Sequence, residues 1–211
     1  MTRAQTYSDA ITVGVAHLSR ADPLMRRLIR RHGACGMAPN WKRTPYQALV
    51  QAIIHQQLAG AASRTIHDRF VALFDGPGFP GPEAVLAMSD AALRSAGLSR
   101  QKASYIRDIA ARALSGTLPQ TRAPLARLAD EEIIGLLTQA RGVGRWTAEM
   151  LLMFTMGRLD VLPVDDYGVR SGYARACGIE SIAPRELRAI GNRWVPYRSI
   201  AAWYFWQAAD A

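Results

Sequence analysis

Apolar residues recur in this chain at helical spacing almost from end to end, and that regularity excludes most folds. Leu49, Ile53 and Ile54 fall on one face of residues 46–58, and 64–74 reads the same way. Tyr105, Ile106, Ile109 and Ala113 do so within 101–114. A sheet would need alternating runs. The nearest candidate, DVLPV at 160–164, is short and carries Pro163, which cannot donate to a ladder. The fold class is therefore all-α, with eight to ten short helices expected.

Turn and cap residues divide the helices. Gly76, Gly78 and Gly81 alternate with Pro77, Pro80 and Pro82 in a loop. Ser89 is suited to cap a short helix that Gly97 ends. Asp130 is expected to cap 131–140, whose two leading glutamates suit the positive end of the helix dipole. A helix over 145–156 follows. Pro184 fits the first turn of 185–195, and an aromatic helix spans 198–209.

Composition narrows the function. The net charge is +9, and among 26 basic residues only Lys42 and Lys102 are lysine. A basic surface suits a polyanion, because neutralised phosphates release condensed counterions. The arginines at 26, 27, 30 and 31 read as a solvated helix face. Two cysteines, Cys35 and Cys177, are too few for a four-thiolate metal site or a disulfide scaffold. No apolar run is long enough for a membrane span, and MTRAQTYSDA lacks the apolar segment of a secretory signal. A reduced, cytoplasmic protein without a membrane partner is expected.

Two stretches carry the chemistry. The segment EEIIGLLTQARGVGRWTAEMLLMF is a helix, a Gly-x-Gly turn and a second helix. A tight helical hairpin needs backbone that tolerates positive φ, hence Gly142 and Gly144. Glycines at a helix start also leave N–H groups open to a phosphate, without reading sequence. A plain connector is the alternative. Further on, Asp165 and Asp166 stand side by side in RLDVLPVDDYGVR. Adjacent carboxylates ordinarily mark a solvated turn or a cap. A carboxylate beside a sugar can also stabilise an oxocarbenium-like transition state.

The hairpin GVGRWTAEMLL followed by PVDDYGVR resembles the helix-hairpin-helix, Gly/Pro-rich-loop, invariant-Asp DNA glycosylase superfamily, in particular its DNA-3-methyladenine glycosylase II branch. AIIHQQLAGAA (52–62) is similar to that branch's lesion-facing segment. LRSAGLSRQKASYIRDIA (93–110) resembles its mid-domain helices, and RWVPYRSIAAWYFW (193–206) its aromatic C-terminal signature. The five motifs run in order from about residue 46 to residue 206.

The resemblance implies two helical subdomains flanking a cleft: residues 46–160, containing the hairpin at 131–156, and residues 1–45 with 161–211. Some relatives carry an additional N-terminal β domain; the roughly 45 residues before the match are too few and too helical for one, so none is expected. It makes Asp166 the catalytic carboxylate and leaves Asp165 a capping or hydrogen-bonding role. It places Trp146, Met150 and Trp206 around a flipped base, where an indole face attracts a cationic purine by about 0.5–2 kcal/mol. Many relatives carry an aromatic at the position of Met150. Gln57, with Gln56, is implied to fill the gap that the extruded base leaves. Gly142, Gly144, Arg145 and Thr147 are implied to hold DNA at the hairpin, while Arg141, Arg145 and Arg198 suit phosphate contacts or ion pairs. Bifunctional relatives carry a Schiff-base lysine where Trp146 stands. The implied enzyme is thus a monofunctional, monomeric glycosylase acting on alkylated bases in duplex DNA during base excision repair. It needs no cofactor beyond a structural monovalent cation at the hairpin. A glycosylase for oxidised or mismatched bases and a non-catalytic DNA-binding module are the alternatives.

Overall fold

The computed structural model describes residues 2–58 and 60–210. No strand occurs among them, so the chain is all-α, as the apolar spacing requires. The chain divides into two compact units. One comprises Met1–Pro39 with Leu152–Ala211, the other Asn40–Leu151.

The second unit holds α3 (Pro45–His55), α4 (Gly60–Ala72), α5 (Pro82–Ala87), α6 (Asp90–Ser95), α7 (Arg100–Leu114), α8 (Arg122–Leu125), α9 (Asp130–Leu137) and α10 (Arg145–Leu151). Thr44 opens α3 with a reciprocal cap: its hydroxyl accepts the Gln47 N–H at 3.2 Å, and Gln47 accepts the Thr44 N–H at 3.0 Å. Ser89 caps α6 and Ser99 caps α7. Leu49, Ile53, Ile54, Phe70, Leu93, Ile106 and Ile109 are fully buried and form the core. The Gly/Pro loop is pinned by Phe79, whose ring lies 5.9 Å from Phe70 and 6.2 Å from Tyr46.

The first unit contains α1 (Arg3–Ala21), α2 (Pro23–His32), a π-helical turn (Leu152–Met156), α11 (Tyr167–Cys177), α12 (Pro184–Ile190), a 3-10 turn (Gly191–Trp194) and α13 (Arg198–Asp210). Trp194, Tyr204, Phe205, Leu18 and Met25 fill its core. Buried Asp22 serves twice. One oxygen accepts the Leu24 N–H at 2.8 Å to start α2, and the other accepts the Trp194 indole N–H at 2.9 Å. Helices α11 and α13 meet at backbone distance, because a Cβ on Gly172 would run into the Phe205 carbonyl.

Three expectations need correction. More helices form among the described residues than the eight to ten expected, because short pieces such as α5 and α8 are too brief to show a period. Asp130 does not cap α9 but is its first residue; Ala129 precedes it, with its N–H held by Glu132 at 2.7 Å. The expected helix over 145–156 stays α-helical only to Leu151 and then widens into the π turn.

Candidate functional site

In the first unit, the sequence DDYGV starts α11 with Asp166 as its N-cap. Its Oδ1 accepts the Val169 N–H at 2.8 Å and the Trp206 indole N–H at 2.8 Å. The capping role expected of Asp165 thus belongs to Asp166, because the helix begins one residue later; Asp165 is exposed. Trp206 reaches Asp166 from α13 across the close approach at Gly172. Gly168 keeps the way clear: a Cβ there would lie 2.9 Å from the Trp206 ring and 3.2 Å from Asp166 Oδ1. Phe154, on the π turn, packs beside Trp206 with ring centroids 5.9 Å apart. By sequence, Phe154 is one more residue of the helix expected over 145–156. Only the wider turn distinguishes it, and nothing in the local pattern announces such a turn.

In the second unit, the end of α3 and the start of α10 form a depression of about 400 Å³ lined by Ala52, His55, Gln56, Gln57, Trp146, Thr147 and Met150. Trp146 keeps 45% of its surface exposed, although a large indole ordinarily packs inward. Thr147 is buried in the wall and Met150 half-buried. His55 is held below the ordinary imidazole range, first by burial and then by the charges of His67, Arg43, Lys102 and Arg64. Gln57 has φ of 57°, left-handed backbone that a side chain rarely adopts. Gln56 donates through its amide to the Gly142 carbonyl at 2.9 Å, which joins this turn to the hairpin.

The hairpin glycines differ in their reasons. Gly142 has φ of 79°, and a Cβ on it would run into the Tyr105 ring. Gly144 has neither positive φ nor a neighbour within 4 Å of a Cβ position. The expectation that both glycines serve a strained turn is corrected: only Gly142 does, and Gly144 leaves open surface at the start of α10. Arg145 bonds both Glu131 and Glu149, the latter at 3.0 Å. Arg198 grips Asp160 with two bonds at 2.7 and 2.9 Å. Of the two uses expected for these arginines, each is engaged in the ion pair. Arg141 instead places its guanidinium 5.8 Å over the Tyr105 ring.

Residues 50–197 match the profile of the HhH-GPD superfamily base excision DNA repair proteins. The chain belongs to this superfamily. Among its members, the DNA-3-methyladenine glycosylase 1 of Schizosaccharomyces pombe is 36% identical over 95% of this chain and 88% of its own length. The solved structure of an S. pombe 3-methyladenine DNA glycosylase in complex with abasic DNA matches with a TM-score of 0.83 at 35% identity, over 94% of this chain and 97% of that one. A DNA-3-methyladenine glycosidase from Bacillus halodurans matches equally well, with a TM-score of 0.83 at 34% identity, over 93% of this chain and 88% of that one. The superfamily match spans the hairpin, the Asp166 cap and the depression at α3 and α10 together.

Proposed function

We propose that this protein is a monofunctional DNA glycosylase that hydrolyses the N-glycosidic bond of alkylated, cationic purines such as 3-methyladenine in duplex DNA. The carrying observation is Asp166: a half-buried carboxylate held by two N–H donors in a chain of this superfamily, as the relatives named 3-methyladenine glycosylases are. In this reading the flipped base stacks on Trp146 and against Met150. The indole face attracts the cation. Gln57 enters the gap left in the duplex, and Gly142, Gly144 and Thr147 hold the strand near the hairpin. The bond breaks with its electron pair passing to the purine, which neutralises the purine's charge and makes it a good leaving group. Asp166 stabilises the positive charge developing on the sugar. Water then bonds to C1′ and gives its proton to solvent, leaving an abasic site.

Trp146 stands where bifunctional relatives are expected to carry a lysine, and both Lys102 hydrogen bonds to carbonyls occupy that ammonium elsewhere. No strand cleavage is therefore proposed. The hairpin offers backbone carbonyls, hard neutral donors that fit an alkali cation. Those of Leu137 and Ala140 already accept turn hydrogen bonds and would share their second lone pair. A monomer working on DNA in the cytoplasm completes the proposal. No helix of the described residues is long and apolar enough to cross a membrane.

Chromatography of bases freed from methylated duplex DNA tests the reading. The wild type is expected to release 3-methyladenine and to leave abasic strands intact until alkali is added. Release confined to oxidised or mismatched bases, or tight DNA binding with no release, would replace the reading by one of its two alternatives. Trp206→Phe tests the carboxylate's support: the ring stays and the donor to Asp166 goes. Single-turnover release should slow about tenfold with little change in KM, the usual effect of losing one hydrogen bond to a charged group. An unchanged rate would remove Trp206 from the mechanism.

A further inference from the structure

One of the chain's two lysines sits where a rigid guanidinium would fit poorly. Lys102 lies in the first turn of α7. Its Nζ donates to the Ile54 carbonyl at 2.8 Å and to the Gln56 carbonyl at 2.6 Å. These oxygens close the C-terminal end of α3, where unpaired carbonyls carry negative partial charge. The next residue is Gln57, the one non-glycine with positive φ among the described residues. Helix α7 also meets the hairpin, at two places. The Tyr105 ring lies where a Cβ on Gly142 would be, and Asp108 accepts the Arg141 N–H at 2.9 Å. Residues 102, 105 and 108 follow at intervals of three on one side of the helix. The Gln56 amide on the Gly142 carbonyl closes the connection between turn and hairpin.

We propose that Lys102 is a positioning residue for base flipping: its ammonium clasps the end of α3 so that Gln57 stays in its left-handed conformation, ready to enter the gap an extruded base leaves. The inference rests on the glycosylase reading above. A left-handed residue with a side chain persists only where its surroundings over-determine it. Here two charge-assisted bonds just before Gln57, and the Gln56 amide bond beside it, do so. The choice of lysine has a geometric reason. The two carbonyls belong to residues two apart and converge on one point. A compact ammonium turns its three donors toward both, whereas a planar guanidinium has a fixed fork and a larger head. A chain that uses arginine almost everywhere else departs from that habit at this place.

The test compares methylated duplex with methylated single-stranded DNA, because a base already unstacked needs no help in leaving the helix. Wild-type release is measured first; its absence from both substrates would sink the glycosylase reading itself. Given wild-type release, Lys102→Met should act about tenfold more slowly on the duplex and within about twofold of wild type on the single strand. Lys102→Arg should not restore the duplex rate. In a Gln57→Ala background, Lys102→Met should add little, since both changes remove the same contribution. If the Met variant does not fold, Lys102→Gln is carried through the same comparison. Equal slowing on both substrates, full rescue by arginine, or independent multiplication of the two defects would each overturn the proposal. So would borohydride trapping of the wild type on abasic DNA that disappears with Lys102, which would make the amine a nucleophile.

Discussion

Asp166→Asn is expected to cut base release by about 100-fold or more while leaving the fold and the affinity for DNA nearly unchanged. Asparagine is among the best N-cap residues, so its side-chain oxygen can still take the Val169 N–H that starts α11. The same oxygen can still accept from the Trp206 indole. What the substitution removes is the negative charge, and charge is what a developing sugar cation requires. Asp166→Ala serves as the contrast. It loses charge and cap together and should cost about 1 kcal/mol of stability in addition. Single-turnover release, anisotropy binding to duplex DNA and thermal unfolding together separate the two variants. Release by Asp166→Asn at a near wild-type rate would exclude the carboxylate as the source of catalysis. A large loss of binding in that variant would mean that Asp166 mainly supports the DNA surface.

The second large effect is expected at a residue that has no side chain of its own. Gly172→Ala should destabilise the protein by roughly 3 kcal/mol, because an added Cβ collides with the Phe205 carbonyl and lies 3.1 Å from the Ala209 nitrogen. Both obstacles are backbone, so no rotamer change relieves them. Helix α11 would have to retreat from α13. For a chain of this size, that corresponds to a fall in Tm of roughly 6–12 °C. The retreat also draws Asp166, on α11, away from Trp206, on α13, so the folded fraction should release base more slowly. Gly168→Ala makes a useful comparison: its Cβ meets only the Trp206 side chain and an Asp166 oxygen. It should disturb activity more than stability. A Gly172→Ala protein with wild-type Tm and rate would show that the two helices can separate at no cost.

Helix positions, several caps and the motif order were legible in the sequence because each depends on residues close together along the chain. Leu49, Ile53 and Ile54 mark α3 by spacing alone, and Ser89 and Gly97 bound α6 by their local preferences. The glycine hairpin and the downstream aspartate, with three further motifs in order, carried the resemblance to the superfamily that the profile match then showed. The resemblance set Trp146 and Met150 with Trp206 around a base, and Thr147, Gln56 and Gln57 on the DNA; the first two and the last three line one depression, and Trp206 does not.

Tertiary structure decided what those residues touch. The partner of Asp166 is Trp206, forty positions away, and the contact depends on a backbone approach that Gly172 permits. Gly142 and Gly144 look alike in the sequence, yet only the first faces a ring, Tyr105, brought from another helix. Arg145 lies in the hairpin motif, but Glu131 and Glu149 engage it. Lys102 showed nothing beyond its rarity until its ammonium was found on the carbonyls of Ile54 and Gln56. Periodicity and capping act over a few residues and can be read from order alone. Hydrogen bonds, close approaches and ion pairs depend on distance in space, which chain order does not encode until the helices have packed.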